Sequence, residues 1–287
     1  MSEGSHPILS CDEAREFEAR YFGGDESKEW PAMGRAGRVL AEAVLRDFEE
    51  IGGFPEDGRL LVLVGKGHNG GDALIAARTI LEKYPAAQAE VLFVFGERSL
   101  RPLAARAWRE LVHESDGRAF AIGDLHDHDY ALCLDGVFGF QFRAPLPPEV
   151  AVLFARVEAL PIRLRAAVDL PSGLADENKS TDAVFRADFT YATGCVKAPV
   201  VNGLNAAHVG RLRYLDLGFF GEGKTESRLH VLTPDVLAPL ARLRGPASDK
   251  RDYGHVFVLG GSRSYPGAVL MSVLAALRSG AGLVTAF

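Results

Sequence analysis

Cysteine is scarce in this sequence, and the cysteines present are scattered. There are three, Cys11, Cys133 and Cys195, and no two of them form a CxxC pair. Such an odd, widely spaced set argues against a disulfide framework and against a zinc site built from cysteines. Cys133 lies in the apolar segment YALCLDG, where we expect a buried thiol that packs as a small apolar group.

Long apolar runs and targeting features are also missing. The N-terminal segment MSEGSHPILSCDEAREFEARYF has no basic region followed by an apolar one, so it is unlike a secretory signal peptide. No apolar run reaches the roughly 20 residues of a transmembrane helix. We therefore predict a cytoplasmic protein that has no membrane partner.

A strong excess of basic residues is absent as well. The formal net charge of −6 at pH 7 gives no broad positive field, which argues against a nucleic-acid partner. A local basic pocket for a phosphorylated small molecule stays compatible with this charge. The 47% hydrophobic and 24% charged residues are ordinary for a globular protein, and 287 residues can bury one large core, or one core plus a fragment of another.

Short apolar runs alternate with helical patterns through most of the chain. Because parallel strands need covering helices between them, this alternation predicts an α/β fold, a Rossmann-like three-layer αβα sandwich with a mostly parallel central sheet. Ligands bind to such sheets beyond the carboxyl ends of the strands. The predicted strands are 59–65, 89–96, 130–136, 163–171, 187–194 and 211–218.

A glycine-rich turn follows the first of these strands, in the segment GKGHNGGDAL. We expect Gly65, Gly67, Gly70 and Gly71 to let the backbone approach a ligand closely. The amides at the start of the following helix would favour an anion such as pyrophosphate. Asp72 is predicted to cap that helix with its carboxylate.

The same turn also satisfies the GxGxxG pattern of dinucleotide-binding dehydrogenases. That interpretation requires an acidic residue at the end of the next strand, and Glu97 is the candidate. The pattern alone is weak, since a dehydrogenase has no particular use for Asn69, Gly71 and Asp72. A tight helix-starting turn without a ligand is a further alternative.

Polar residues follow two more strands of the predicted sheet. Asp135, Gly139 and Arg143 lie in LDGVFGFQFRAPL, where Arg143 could meet a phosphate. Asp169 and Ser172 lie in VDLPSGLADE. A turn carboxylate that hydrogen-bonds its own backbone is the simpler alternative for Asp135, and a loop cap is the simpler alternative for Asp169 and Ser172.

Together these loops resemble the motifs of the YjeF N-terminal family, whose enzymatic members are NAD(P)H-hydrate epimerases. GKGHNGGDAL is similar to its GxGNNGGDGL loop, VDLPSGLADE to its DIPSGxD loop, and ADFTYATGCVKAP, with Lys197, to a later stretch. The resemblance implies an isomerase of metabolite repair, which interconverts the R and S forms of hydrated NADH or NADPH, NAD(P)HX, at C6 of the nicotinamide ring.

The resemblance also implies roles for individual residues. Asp169 would stabilise an iminium-like cation and shuttle a proton, with Lys197 or a water completing the relay. A potassium ion would bind to Asn69, Asp135 and Ser172, whose hard oxygen donors suit a hard cation. The substrate would contact His68, Asn69, Gly70, Gly71, Asp72, Gly139, Phe140, Gln141, Phe142, Arg143, Ala144, Pro145 and Asp169.

Some positions depart from the family pattern. His68 stands where the family usually has asparagine, Ala73 where it has glycine, and Gly34 where it has glutamate. Two alternatives to an epimerase therefore stay open. One is a catalytically silent ligand-binding or scaffold module of the same fold, and the other is an NAD(P)-dependent dehydrogenase.

The pattern changes after residue 228, and we predict an epimerase domain at 1–228 and a connector with an incomplete second domain at 229–287. The stretch DKRDYGHVFVLGGSRSYPG resembles the opening of the ribokinase-like NAD(P)H-hydrate dehydratase. Since that family's nucleotide-binding segments are absent, we expect no dehydratase activity here, and a dehydratase as the functional partner. The sequence does not determine the oligomeric state and leaves a homodimer open.

One charged loop stands apart from these motifs. DLHDHDY, residues 124–130, brings His126 and His128 close to three aspartates. It could suggest a metal site, but a solvated connector between a helix and a strand is the preferred interpretation.

Overall fold

The computed structural model describes residues 4–176, 183–220, 227–241 and 243–287. They form two compact units, Ser5–Thr233 and Pro234–Phe287. The division predicted at residue 228 precedes a short strand, His230–Leu232, that pairs with the first strand of the chain within the larger unit. Among the residues that the structure describes, no helix is long and apolar enough to cross a membrane.

The larger unit alternates strands and helices along most of its length. Its strands are β1 (Ser5–Leu9), β2 (Arg59–Val64), β3 (Gln88–Phe93), β4 (Ala119–Ile122), β5 (Tyr130–Gly136), β6 (Ile162–Val168), β7 (Phe189–Thr193), β8 (Val196–Lys197), β9 (Arg211–Leu215) and β10 (His230–Leu232). Its helices are α1 (Cys11–Phe22), α2 (Glu26–Glu49), α3 (His68–Lys83), α4 (Pro102–Glu114), α5 (Pro148–Ala159), α6 (Ala198–Val201) and α7 (Ala206–Val209).

Seven strands form one sheet in the order β4-β3-β2-β5-β6-β7-β9, and every neighbouring pair is parallel. The chain builds outward from β2 to β4 on one side, then returns to β5 and builds toward β9 on the other. The strand order therefore reverses between β2 and β5, which is where ligands of such sheets bind. The predicted parallel α/β fold is confirmed.

Strand β2 shows why the sheet needs helices on both faces. Its residues from Leu60 to Val64 are at most 1% exposed. Leu60, Val62 and Val64 pack into one apolar cluster with α2, α3 and α4, whereas Leu61 and Leu63 pack into a second cluster with α5. Successive side chains of a strand point to opposite faces, so each face contributes its own core.

A small second sheet, in the order β10-β1-β8, accompanies the main one. Strand β1 is antiparallel to β10 and parallel to β8, whose last residue is Lys197. Neither β1 nor the edge strand β4 was predicted. Both are too short for apolar periodicity to be read, and Pro7 inside β1 argues against a strand.

The smaller unit is a strand–helix–strand arrangement made of β11 (His255–Val258), α8 (Gly267–Arg278) and β12 (Leu283–Ala286). The two strands are parallel. Strand β12 pairs with β11 residue by residue, LVTA with HVFV. None of the described residues of 234–287 is buried.

Candidate active site

A cavity of about 460 Å³ opens at the carboxyl ends of β2, β5 and β6, at the reversal of strand order. Its volume lies in the range of about 300–1,000 Å³ that small-molecule sites occupy. Each strand end contributes through the loop that follows it. The lining residues are Glu18, Lys66, Gly67, His68, Asn69, Asp72, Phe95, Arg101, Val137, Phe138, Gly139, Phe140, Gln141, Phe142, Arg143, Pro145, Pro147, Asp169, Thr193 and Lys197.

The glycine-rich turn reaches this cavity mainly through Gly67, the N-cap of α3, and through His68, Asn69 and Asp72. The helix begins at His68, four residues earlier than the predicted cap. The prediction that Asp72 caps the helix is therefore wrong. Asp72 lies in the first turns, buried, and its Oδ1 has no hydrogen-bond partner among the described residues.

The expectation that all four glycines of the turn let the backbone approach a ligand is also wrong, because close packing within the protein explains most of them. A Cβ on Gly70 would lie 2.7 Å from the carbonyl oxygen of Gly65, and one on Gly71 would lie 2.6 Å from the sulfur of Met33 in α2. At Gly67 no described heavy atom lies within 4 Å of such a Cβ. Only Gly67 therefore leaves the backbone open to a ligand.

Asp169 and Lys197 form a buried ion pair in the cavity wall. Lys197 Nζ donates to Asp169 Oδ1, and the side chains are only 1% and 3% exposed. Thr193 Oγ1 lies 3.4 Å from the same oxygen. The other oxygen, Asp169 Oδ2, is buried and finds no hydrogen-bond partner in the described part of the chain. Asp169 Oδ2 is thus held beside the cavity and accepts no hydrogen bond from the described residues.

The backbone at Asp169 is itself unusual, because φ is +70°. A left-handed conformation is costly for a residue with a Cβ and is concentrated at functional sites. It occurs directly after β6, where the chain turns into the loop of Ser172. The strain aims the Asp169 carboxylate toward Lys197 instead of continuing the strand.

More acids surround Lys197 than the sequence indicated. Burial on its own would lower the lysine pKa, but the neighbouring Asp169 and Glu18 outweigh it and the pKa is raised. Burial raises the pKa of Glu18 to about 7, with Lys197 opposing the shift. Burial also raises the pKa of Asp72 well above its ordinary value, and the charges of Asp169 and Glu18 add to it.

Glu18 was missed by the sequence analysis, and no local signal could have found it. It lies on α1, an amphipathic helix far from every glycine-rich loop in sequence. Helix α1 follows β1, whose neighbour β8 carries Lys197. The small sheet therefore brings an acid of the N-terminal helix to a lysine nearly 180 residues later in the chain.

Asp135 and Ser172 lie together after β5 and β6, and Asn69, which lines the cavity, bonds to main-chain carbonyls beside them. Ser172 Oγ donates to Asp135 Oδ1 at 2.6 Å, and the Ser172 amide donates to Oδ2 at 2.8 Å. Asn69 Nδ2 donates to the carbonyls of Phe138 at 2.9 Å and Val168 at 2.8 Å. Burial raises the pKa of Asp135 to about 6, although the bonds from Ser172 lower it.

The chemistry of this oxygen cluster fits a hard cation. It combines a carboxylate, a hydroxyl, a side-chain amide and two main-chain carbonyls, and Phe138 O is also 3.3 Å from Ser172 Oγ. Turning the Asn69 amide would exchange its nitrogen for Oδ1 among the same oxygens. Sulfur and imidazole ligands, which soft metals prefer, do not belong to the cluster among the described residues.

The loop after β5 forms another wall. Phe140, Gln141, Phe142, Arg143 and Pro145 line the cavity, whereas Ala144 is outside the lining set. Gly139 packs so closely that a Cβ there would lie 2.7 Å from Asn69 Oδ1. Arg143 Nη2 donates to Asp12 Oδ1 of α1 at 2.7 Å, so this guanidinium is already paired at the rim.

Basic and aromatic side chains complete the lining. Lys66 and Arg101 lie at the mouth, and Lys66 Nζ is 4.9 Å from the ring centre of Phe95. Burial lowers the pKa of His68, opposed by Glu29, whose Oε2 lies 3.7 Å from His68 Nε2. A protein with a net negative charge thus presents a local basic rim beside an aromatic wall.

The acid required by a dehydrogenase is occupied elsewhere. Glu97 Oε1 accepts a hydrogen bond from Trp108 Nε1 at 3.0 Å, and Glu97 is not among the described residues that line the cavity. Phe95 and Arg101 stand near the end of β3 instead. Among the described residues that line the cavity, none that follows β3 offers a carboxylate to hold a ribose, which disfavours that alternative.

A parallel sheet with a ligand-sized cavity, a buried acid–lysine pair and an oxygen cluster beyond its strand ends defines the class, an α/β protein with a candidate small-molecule site. Residues 31–198, more than half of the chain, match the family model described as YjeF-related protein N-terminus. The chain belongs to this family, which confirms the resemblance seen in the sequence.

Two similar relatives are both named bifunctional NAD(P)H-hydrate repair enzyme Nnr. The one from Gloeobacter violaceus is 32% identical over 96% of this chain and 54% of its own length. The one from Escherichia coli is 30% identical over 86% of this chain and 49% of its own length. The chain thus spans about half the length of the curated relatives that it matches.

A solved structure has the same fold. The crystal structure of yeast ynu0 aligns with 79% of this chain and 100% of its own, with a TM-score of 0.58 and 19% sequence identity. At that identity the likeness supports the fold alone.

Proposed function

We propose that this protein is an isomerase that interconverts the R and S epimers of hydrated NADH and NADPH at C6 of the nicotinamide ring. One observation carries the proposal: Asp169, fixed by Lys197, has a buried carboxylate oxygen beside a ligand-sized cavity to which no described residue donates a hydrogen bond. The family and the repair-enzyme names of the relatives support the choice of substrate.

The lining suits a dinucleotide with a damaged ring. Lys66 and Arg101 offer positive charge for the pyrophosphate, and the open backbone at Gly67 lies at the start of α3, where anions bind favourably. Phe138 and Phe142, with ring centres 4.9 Å apart, offer apolar surface for the ring system. The reactive carbon would then lie toward Asp169.

Epimerisation requires reversible cleavage of the C6–oxygen bond, or ring opening, through an iminium-like cation. A carboxylate beside the ring lowers the energy of that cation. The departing hydroxyl takes up a proton, which returns to the protein when water adds to the other face. Asp169 and Glu18 are the groups placed to hold that proton, and the pKa of Glu18 is raised to about 7. The reaction has no net redox change.

Asn69, Asp135 and Ser172 would hold a potassium ion, which would add a fixed positive charge beneath the cavity. Phe138 and Val168 would contribute carbonyl oxygens. Replacing K⁺ in the buffer with a bulky organic cation should lower both the melting temperature and turnover. An unchanged melting temperature would argue against a resident ion.

The decisive experiment supplies each separated epimer to the purified protein and follows the other epimer by chromatography. Interconversion until both epimers reach the same ratio from either side supports the proposal. Binding of both epimers without interconversion would instead establish a silent ligand-binding module. His68→Asn is a useful companion variant, because it restores the residue usual in the family.

The accompanying assignments are part of the same proposal. The segment 229–287 is taken as a connector and a dehydratase-like segment, and an NAD(P)H-hydrate dehydratase as the functional partner that acts on one of the epimers. Addition of ATP or ADP should cause no loss of the hydrate with this chain alone. A cytoplasmic location and a homodimer are compatible with this role.

A further inference from the structure

A second cluster of ligating side chains lies at the opposite edge of the main sheet from the cavity. Glu90 of β3 is 1% exposed, and it contacts both histidines of the loop between β4 and β5. His126 Nδ1 lies 3.0 Å from Glu90 Oε2, and His128 Nε2 lies 3.5 Å from Glu90 Oε1. One ligand atom from each of the three residues lies within 4.8 Å of the other two.

These distances suit a shared metal ion. Ligands 2.0–2.1 Å from a tetrahedral zinc ion are separated from one another by roughly 3.3 Å. Each oxygen of Glu90 faces one histidine, Oε2 at 3.0 Å from His126 and Oε1 at 3.5 Å from His128, and both separations are close to that value. The imidazoles are 47% and 43% exposed, so small side-chain rotations can close the remaining histidine–histidine gap without disturbing the core.

The carboxylate is held in place by groups outside the trio. Tyr130 OH donates to Glu90 Oε2 at 2.6 Å, and Arg59 Nη1 donates to Oε1 at 2.6 Å. Arg59 begins β2, which is next to β3, and Tyr130 begins β5, which is next to β2. The sheet therefore holds both donors in place. Hydrogen bonds of this kind orient the ligands of metal sites and tune their affinity.

The local charge favours a cation despite Arg59. Asp127 and Asp129 flank the two imidazoles in the loop, and both are exposed. Asp124 is already paired with Arg156 at 2.7 Å. Arg59 donates to Oε1 of Glu90, the oxygen that faces His128, whereas Oε2 faces His126.

We propose that Glu90, His126 and His128 form a site for a divalent transition metal of the zinc class, with a fourth position open to water. Imidazole and carboxylate ligands suit Zn²⁺, and three protein ligands with an exposed fourth position are typical of an open site. The site is independent of the proposed epimerase chemistry, because its residues lie at the amino ends of the strands and outside the cavity. Its occupation would tie the loop 124–129 to β3.

The test titrates Zn²⁺ into the full chain by isothermal calorimetry, after purification without a histidine tag and removal of metals with a chelator. We expect one Zn²⁺ per chain and a higher melting temperature in its presence. His126→Ala and His128→Ala should each weaken binding at least about tenfold, the loss that even outer-sphere changes typically cause. Co²⁺ should give visible d–d absorption with the wild type but not with the double variant.

His113→Ala is the matched control, since His113 is an exposed histidine on α4 away from the cluster. It should leave the titration unchanged. The cysteines are buried, so thiolates do not compete for the ion in the folded chain. No Zn²⁺ binding by the wild type, or equal binding by the double variant, would overturn the proposal; in that case the histidines only hydrogen-bond Glu90.

Discussion

Two strand–helix–strand segments of this chain share one local sequence pattern but differ in how deeply their apolar side chains are buried. In the first, β2, α3 and β3 follow one another with a glycine-rich turn after β2, and Leu60 to Val64 are at most 1% exposed. In the second, β11, α8 and β12 follow one another with the turn GGS after β11, yet Phe257 is 56% and Met271 67% exposed. The local pattern is the same, so the difference in burial comes from what each segment packs against.

The first segment is covered on both faces, by α2, α4 and α5, and it has β5 as a further neighbour in the sheet. The second is a two-stranded sheet with one helix, and two layers of that size cannot bury their own apolar faces. We infer that chemistry and stability both reside in Ser5–Thr233. Four predictions test that comparison.

The largest effect is expected from Asp169→Asn, which removes the charge that Lys197 requires and the acid–base group of the site. Epimerase turnover should fall by about 10²–10⁴-fold, the usual contribution of such a group. Glu97→Gln changes another acid that follows a strand but lies outside the cavity, and should leave turnover unaltered. Undiminished turnover in Asp169→Asn, with circular dichroism showing a folded chain, would contradict the proposed mechanism.

A pair of leucine truncations compares the two regions directly. Leu63→Ala empties a fully buried position of β2 and should lower the free energy of unfolding by about 2–5 kcal/mol. Leu274→Ala changes a residue of α8 that is 44% exposed, and should stay within about 0.5 kcal/mol. Urea denaturation of both variants measures the difference, and equal losses would contradict the comparison.

Glu18→Gln should reveal the shifted acid through the pH dependence of stability. The pKa of Glu18 is raised from 4.5 to about 7, so its contribution to stability is full below pH 4.5 and is lost as the pH rises through about 7. The neutral variant avoids that loss, so it should gain on the wild type as the pH rises from about 4.5 to about 7 and keep that gain at higher pH. Glu16→Gln, an exposed acid on the same helix, should show no such trend in melting temperature.

The smallest effect is expected from ending the chain after Thr233. The cavity and the core lie wholly before that residue, and so do the strands of the main sheet. Turnover and the cooperativity of unfolding should therefore match those of the full chain. A truncated chain that lost its cooperative transition would show that the second unit supports the first.

Much of the fold could be predicted from local pattern. The run of Leu60 to Val64 is apolar at every position, as a strand buried on both faces must be, and the predicted strand at 59–65 coincides with β2. The short strands β1 and β4 were not predicted, because Pro7 lies inside β1 and β4 has only four residues. The start of α3 was misplaced because a polar run, His68–Asn69, begins it without a side-chain cap.

The sequence by itself determined that parallel strands would alternate with helices, and that Asn69, Asp135, Asp169 and Ser172 would meet at one edge, since the carboxyl ends of parallel strands share an edge. Only the tertiary structure decided which groups face one another across that edge and beyond it. Glu18 approaches Lys197, and Glu90 meets two histidines, because pairing between strands distant in sequence joins segments that share no local pattern. The apolar periodicity of a sequence indicates the face of a strand or helix on which a residue lies. Which side chain that residue contacts depends on the order of the strands in the sheet.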